Sequence, residues 1–319
     1  MKILVTGSKG VVGSKLADEL SKRGHIVYGV DLFHASGEVG FSQTMSSEEN
    51  NYIRCDISIF RQIERVFETW QGIELVYNCG AEFGRWNGED FYEQLWASNC
   101  IGLKNIIRLQ EKLGFKLVHF SSSEVYGDFR GIMAESVMES VEIKQLNDYA
   151  ITKWANEMQI RNSVALNESL QTVVVRLFNT YGDGEWYHPY RSVNSKFCYH
   201  VLMGLPITVY TGHWRTSTYI WDCVNAVANI SENFIANRTY NIGSSQNHSI
   251  EDLVKIIYDY LPDADKSLIN YKSAEKLTTL YKEPDISLSV KELGFAETVS
   301  LKEGVQRTID WMKKYYNKL

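Results

Sequence analysis

Two short clusters carry the residue types that proton transfer next to a redox centre needs. In Tyr149-Ala150-Ile151-Thr152-Lys153 a phenol and an ammonium stand four residues apart, so a helix puts them on one face. An ammonium beside a phenol lowers the phenol's pKa and makes it usable as a base near neutral pH, and the lysine is also placed to hydrogen-bond a ribose. The same spacing describes an ordinary surface pair on an amphipathic helix, so the place of the pair in the fold decides between the two. The second cluster, Ser121-Ser122-Ser123-Glu124-Val125-Tyr126-Gly127, follows the apolar run Lys116–Ser121. A hydroxyl there can hydrogen-bond a substrate alcohol as it is oxidised, and Ser123 and Glu124 can address a carbon further along; serines after a strand are otherwise plain turn chemistry.

The element that must position these groups lies at the start of the chain. Ile3-Leu4-Val5-Thr6 reads as a buried strand running into Gly7, Gly10 and Gly13, after which Val12, Leu16 and Leu20 fall at helical spacing. A strand that turns straight into a helix leaves helix N–H groups unpaired and facing an anion. Glycines let that backbone approach a pyrophosphate closely and pack the helix on the sheet. The next apolar run, His25–Val30, ends in Asp31, about 20 residues on, where an acid holds a ribose 2′-hydroxyl. This combination predicts a dinucleotide site. Asp31 favours NAD over NADP, since its charge would repel a 2′-phosphate; Lys9, inside the glycine turn, is a counter-signal.

Up to about residue 178, apolar strands (near 52–57, 74–81, 116–121 and 172–178) alternate with helical patterns (59–67, 90–113 and 149–167), which predicts an α/β, Rossmann-type doubly wound parallel sheet. Ligands of such sheets sit beyond the carboxyl ends of the strands. After Phe178 the rhythm changes to short strands and helices, the last from Leu301 to Tyr315. The reading is a dinucleotide-binding domain over 1–178 and a smaller C-terminal substrate-binding lobe over 179–319, with strands able to return to the main sheet. No internal repeat is seen.

Composition narrows the classes. The chain has 319 residues, is 44% hydrophobic and 23% charged, and holds only 4 prolines, the profile of one ordinary globule or a domain with a lobe. A net charge of −6 speaks against a nucleic-acid partner. No window approaches the ~20 apolar residues of a membrane span. Its five cysteines are odd in number and scattered without a C-x-x-C pair, and its seven histidines lack ligand spacing; free thiols, a cytoplasmic setting and no metal are expected.

These pieces together resemble the extended short-chain dehydrogenases/reductases, specifically the NAD-dependent nucleotide-sugar epimerases and dehydratases. The matching residues are the glycine turn with Asp31, Asp56-Ile57, the S-S-S-E-V-Y-G segment, Y-A-I-T-K, Arg176-Leu177-Phe178-Asn179-Thr180-Tyr181-Gly182, Leu293-Gly294-Phe295 and Leu301-x-Glu303-Gly304, spanning nearly the whole chain. The resemblance implies that Gly7, Gly10, Val11, Val12, Gly13 and Asp31 hold NAD, that Asp56 and Ile57 contact its adenine, and that Gly80, Ala81 and Asn99 complete the cofactor set. It implies Tyr149 and Lys153 as the active pair, with Ser122 orienting a sugar 4-hydroxyl. Asn179 and Arg215 are expected at the substrate diphosphate, and Glu82 and Arg191 elsewhere in the substrate site. Helices near 90–113 and 149–167 form a homodimer's bundle in that family; Phe91, Leu95, Trp96, Ile101, Trp154 and Met158 supply apolar side chains for one.

The subclass rests on Ser122-Ser123-Glu124. Simple 4-epimerases have a small apolar residue where Glu124 stands. Dehydratases put a glutamate there to remove the C5 proton, and Ser123 matches GDP-mannose dehydratases and UDP-glucuronate decarboxylases. The expectation is 4,6-dehydration of a nucleotide-linked hexose with Ser123 and Glu124 in the catalytic set. The alternatives are 4-epimerisation or C4 dehydrogenation, then decarboxylation of a UDP-uronate, and, outside catalysis, a silent nucleotide-binding scaffold. Ala81–Asn87 and Gly184–Arg191 depart from those patterns, and both are expected to line the sugar pocket.

Overall fold

A computed structural model describes residues 1–33, 51–273 and 275–316. Its spine is a parallel sheet of seven strands: β1 (Lys2–Thr6), β2 (Ile26–Asp31), β3 (Tyr52–Arg54), β4 (Leu75–Asn78), β5 (Lys116–Ser122), β6 (Thr172–Leu177) and β7 (Arg238–Ile242), in the spatial order β7-β6-β5-β4-β1-β2-β3. Pairing runs Ile3 beside Val27 and Leu75, and Phe120 beside Val175. The order reverses at β1, so a crevice opens past the carboxyl ends of β1 and β4, where ligands of such sheets bind.

The apolar runs form central strands because both faces are covered. Ile3, Val5, Val118, Phe120, Val173 and Val175 face one core with Leu16 and Leu20 of helix α1 (Val11–Lys22), whereas Leu4, Val76, Leu117 and Val174 face a second core with Ile63, Val66 and Phe67 of helix α2 (Phe60–Thr69). The doubly wound expectation therefore holds. β7 lies inside the C-terminal range and pairs with β6 in the main sheet, the kind of return that the reading of the sequence allowed. Elsewhere in that range Cys223, Ala226, Val227, Leu293 and Phe295 join the first core, whereas Phe197, Val201, Leu253, Ile257, Val305 and Ile309 form a core of their own. Residues 317–319 of the range lie outside those described.

The long helix expected over 90–113 is broken. Short helices cover Arg85–Asp90 and Tyr92–Trp96, a π-helical turn covers Ala97–Ile101, and α3 runs over Gly102–Leu113. Phe91 leaves helical geometry (φ −131°), and a Cβ on Gly102 would lie 2.7 Å from Ile57, so the chain widens by one turn to settle on the strand end.

Helix α4 (Asp148–Leu166) carries the Tyr/Lys pair and begins on an Asn147 cap whose side chain accepts from the Ala150 N–H. It is tied to the sheet by Glu157, fully buried, which receives Arg176 Nε at 3.0 Å, Arg176 Nη2 at 2.7 Å and Ser121 Oγ at 2.6 Å. Arg176 also donates to Tyr126 Oη at 2.8 Å, and Tyr126 to Asn241 Oδ1 at 2.8 Å, linking β5, β6 and β7. Removing one partner of such a buried pair strands the other charge. Glu157→Ala is expected to cost about 3–5 kcal/mol in denaturant unfolding, and the double change Glu157→Leu, Arg176→Met much less than twice that.

Candidate active site

The strand–turn–helix at the amino end has the geometry its glycines require. Gly7 sits at φ +66°, and a Cβ there would meet Gly80 Cα at 2.8 Å; a Cβ on Gly13 would fall 2.2 Å from Gly7 O. Thr6 Oγ1 accepts the Gly80 N–H at 2.9 Å, locking the two strand ends side by side. Asp31 Oδ2 accepts the Lys9 N–H at 2.9 Å and Oδ1 the Leu32 N–H at 2.7 Å, and burial raises its pKa against those bonds. The Lys9 ammonium, instead of facing a 2′-phosphate, lies 4.7 Å from the centre of the Tyr52 ring. Asp56 Oδ1 is held by the Ser58 N–H and hydroxyl, and Ile57 packs beneath Gly102.

One continuous cleft of about 2360 Å³ joins this turn to the second cluster. Such a volume exceeds the ~300–1,000 Å³ of a single small-molecule site and leaves room for a dinucleotide and a second nucleotide. Gly7, Gly10, Val11, Val12, Gly13, Asp31, Asp56, Ile57, Gly80 and Ala81 line one half; Ser122, Ser123, Glu124, Tyr149 and Lys153 line its middle; Glu82, Asn179, Arg191 and Arg215 line the other half. The cradle thus fits a dinucleotide on observed backbone contacts: the turn has no room for side chains, and the α1 N-terminus ends on it.

Asn99 is the exception among the expected cofactor residues. It is buried, donating to Glu82 O (3.2 Å) and Thr152 Oγ1 (3.0 Å) and accepting the Glu82 N–H (2.9 Å), so it positions the β4 exit and α4 instead of lining the cleft. Its place in the π-helical turn turns the amide inward.

The Tyr/Lys pair shares its face as expected, with Lys153 Nζ 5.7 Å from the Tyr149 ring centre and donating to Phe120 O at 2.8 Å. Its electrostatics correct the sequence reading. Burial pushes the Tyr149 phenol up to about 12 against its hydrogen bond with Ser122, and Glu124 raises it further. Burial pushes Lys153 down to about 8 despite Cys100, Cys79 and Glu157. The ammonium alone does not make this phenol a base at neutral pH; an added positive charge over the pair, such as an oxidised nicotinamide ring, acts in the required direction.

Glu124 is no free carboxylate. Lys282 Nζ lies 2.5 Å from Glu124 Oε1 and 2.9 Å from Ser123 Oγ, and Asn147 Nδ2 donates to Glu124 Oε2 at 3.4 Å. Burial would raise its pKa, but Lys282, Arg85 and Arg215 hold it down to about 2. Lys282 itself is almost wholly buried, and burial outweighs its partner to bring it to about 8. Lys282 escaped the sequence reading because Thr278-Thr279-Leu280-Tyr281-Lys282 has no periodic or motif signal; only the fold brings it under Ser123.

The far half of the cleft carries three arginines, Arg85, Arg191 and Arg215, among carboxylates that include Glu82 and Glu275. Arg215 is buried, its Nη1 on Trp214 O (2.8 Å) and Leu280 O (3.1 Å) and its Nη2 on Thr278 Oγ1 (2.9 Å), with no carboxylate at ion-pair distance among the described residues. Arg191 stacks 4.0 Å over Phe83, and its Nε has no partner among the described residues. Asn179, at φ +41°, donates to Thr216 O at 2.8 Å and so braces the Arg215 strand. Ala81–Phe91 closes over this half: Arg85 Nη1 and Nη2 reach Glu275 Oε2 at 3.1 Å, Trp86 Nε1 reaches Glu275 Oε1 at 3.3 Å, and Tyr190 Oη donates to Asp90 at 2.5 Å. Both departing segments line the cleft, though Trp186 also packs edge-on against Trp311, Tyr315 and Tyr316.

Residues 3–243 match the family described as NAD dependent epimerase/dehydratase. The chain belongs to that family. It is 28% identical to the UDP-N-acetyl-alpha-D-glucosaminuronate decarboxylase of Bacillus cytotoxicus, over 99% of each chain. It is 26% identical to UDP-glucuronic acid decarboxylase 1 of Xenopus tropicalis, over 98% of this chain and 72% of that one. Among solved structures, the UDP-glucuronic acid 4-epimerase of Bacillus cereus in complex with NAD superposes with a TM-score of 0.83 at 26% identity, covering 99% of this chain and 100% of that one. The protein is thus an NAD-dependent enzyme of the nucleotide-sugar epimerase and decarboxylase type, and NAD is its cofactor.

Two measurements follow. Gly13→Ala drives a methyl into Gly7 O, so the purified variant is expected to release little or no NAD on denaturation where the parent chain releases it. Glu124, ionised down to about 2 in the fold against an ordinary 4.5, contributes stability above pH 4.5 that is lost as pH falls toward 2. Glu124→Gln should flatten that part of the acid limb in melting temperature against pH.

Proposed function

We propose that the enzyme oxidises C4 of a UDP-linked hexuronate and then releases its carboxylate as carbon dioxide. The observation that carries this reading is Lys282 Nζ 2.5 Å from Glu124. Removal of a C5 proton needs a carboxylate with affinity for it, and one held at about 2 by a buried ammonium has little. That weighs against the 4,6-dehydration expected from sequence. The presence of Glu124, where simple 4-epimerases of the resembled family carry a small apolar residue, weighs against plain epimerisation. Decarboxylation needs no C5 base at all. The decarboxylase relatives support the choice of substrate, as does the arginine-lined sugar half.

Bound NAD supplies the acceptor, and later the donor, of the C4 hydride. Tyr149 takes the C4-hydroxyl proton while Ser122 holds that oxygen and Lys153 holds the ionised phenol. The product of this step is a β-keto acid. Its C5–C6 bond breaks, carbon dioxide leaves, and the electron pair is stored as an enolate toward the C4 oxygen until C5 takes a proton from solvent water. Ser123 and Glu124, fixed by Lys282, wall that carbon and keep the sugar ring oriented. Tyr149 finally returns its proton to the C4 oxygen.

In D₂O, the NAD-bearing enzyme with UDP-glucuronate or UDP-N-acetylglucosaminuronate is expected to give carbon dioxide and a UDP-pentose deuterated at C5. A product that keeps its carboxylate with C4 inverted and no deuterium would select epimerisation. Loss of a C6 hydroxyl from a neutral hexose substrate, with deuterium at C5, would restore the dehydratase.

The enzyme works as a homodimer through the face formed by Phe91, Tyr92, Trp96, Ile101, Ile151 and Met158, all exposed although Leu95 beside them is buried. An apolar patch of that kind on two neighbouring helices suits a second copy by two-fold symmetry. Ile101→Asp with Met158→Asp should halve the mass seen in sedimentation without loss of the folded circular-dichroism spectrum. The five cysteines are free, consistent with a reducing cytoplasm, and no helix among the described residues is long and apolar enough to cross a membrane.

A further inference from the structure

His213 stands in the turn between the strands Ile207–Tyr210 and Trp214–Thr216, and its peptide oxygen accepts the Ile250 N–H at 3.1 Å, which pins the turn to the next helix. His213 is 2% exposed, it lines the cleft with Thr208, Tyr210 and Arg215, and its Nε2 has no hydrogen-bond partner among the described residues. The Tyr210 ring stacks on it at 6.0 Å and 29°, fixing its plane. A buried imidazole nitrogen without a partner costs about 1–3 kcal/mol, and such a group in a binding cleft points to a ligand atom that completes it. Its neighbour Arg215 has no carboxylate at ion-pair distance among the described residues.

We propose that His213 is a ligand of the substrate's diphosphate, working beside Arg215, and that it takes up a proton as the nucleotide sugar docks. This rests on the cleft being a nucleotide-sugar site. The charged groups around His213 come from each element packed on it: Arg215 from the following strand, Arg85 from the segment closing the cleft, Glu275 from its clasp partner, and Glu251 from the helix after Ile250. Burial first, then the two arginines, keep the ring neutral in the empty cleft against the two carboxylates. A diphosphate diester adds two negative charges, reverses that balance and favours the imidazolium, which donates to it from Nε2. The sign is fixed by linkage: a group whose pKa rises on binding takes up a proton, so affinity falls as pH rises through the range between the two values.

The test is titration calorimetry of the NAD-bearing protein with UDP-glucose, GDP-mannose and dTDP-glucose. These diphosphate diesters have no ionisation of their own near neutrality. Heats are compared at pH 7 in two buffers of different ionisation enthalpy. The nucleotide sugar that binds is expected to bring a fractional proton uptake, and its Kd to rise between pH 6 and 8 by no more than tenfold per unit. In His213→Gln the uptake disappears and Kd rises about tenfold, while the melting temperature without ligand stays near that of the parent. His213→Ala should raise KM with kcat nearly unchanged. Binding without proton uptake in the parent chain, uptake that persists in His213→Gln, or an unchanged Kd in that variant would each overturn the proposal and leave the nucleotide-sugar reading standing. Absence of binding by all three nucleotide sugars, and by UDP-glucuronate offered to a Tyr149→Phe protein that cannot turn it over, would overturn both.

Discussion

The buried pair of Arg176 and Glu157 is the constraint on which the active site depends. A guanidinium and a carboxylate with essentially no exposure are stable here only because each is saturated: the carboxylate by two guanidinium nitrogens and Ser121, the guanidinium also by Tyr126 and the Glu135 carbonyl. The geometry this imposes is specific. Glu157 lies one helical turn beyond Lys153 on α4, and Ser121 lies one residue before Ser122 on β5. Holding Glu157 to Ser121 therefore sets the Tyr149 phenol beside the Ser122 hydroxyl. The ionic pair contributes register more than stability, since an apolar replacement would leave the helix free to slide along the strand ends.

A second layer of charge then sets the chemistry. Lys153 is anchored to the Phe120 carbonyl under the cofactor half, and Lys282 is anchored to Ser123 and Glu124 under the sugar half. Each ammonium is desolvated and sits at about 8, so both lie close to losing their charge in mildly alkaline solution. Lys153 lies beside the Tyr149 ring, and Lys282 holds the Glu124 carboxylate ionised. Lys153 lines the middle of the cleft, whereas Lys282 acts on it from beneath through Ser123 and Glu124.

Much of this was legible in the chain. The glycine turn, Asp31, and the strand–helix alternation specify the sheet because spacing alone dictates which backbone atoms come close, as Gly7 against Gly80 shows. The Tyr149/Lys153 pair was legible for the same reason, being local to one helix. What sequence could not give were contacts between distant segments. Lys282 reaches Glu124 across 158 positions, and Glu275 meets Arg85 across 190. No periodicity encodes such pairs, so the carboxylate read as a free base turned out to be neutralised. Asn99 misled for a related reason: a π-helical turn rotates its amide into the protein, and helical spacing does not foresee that. Burial, a property of the whole fold, is the largest influence on the phenol's acidity, and spacing along one helix does not reveal it.

The segment closing over the sugar half is fastened unlike the glycine turn. Its contacts are a part-exposed ion pair, an indole N–H and a phenol on Asp90, interactions that water can replace at little cost. The glycine turn is held by backbone in van der Waals contact, which nothing can replace. The two halves of the cleft are therefore held unequally, the sugar half by polar contacts that solvent can exchange and the glycine turn by close-packed backbone.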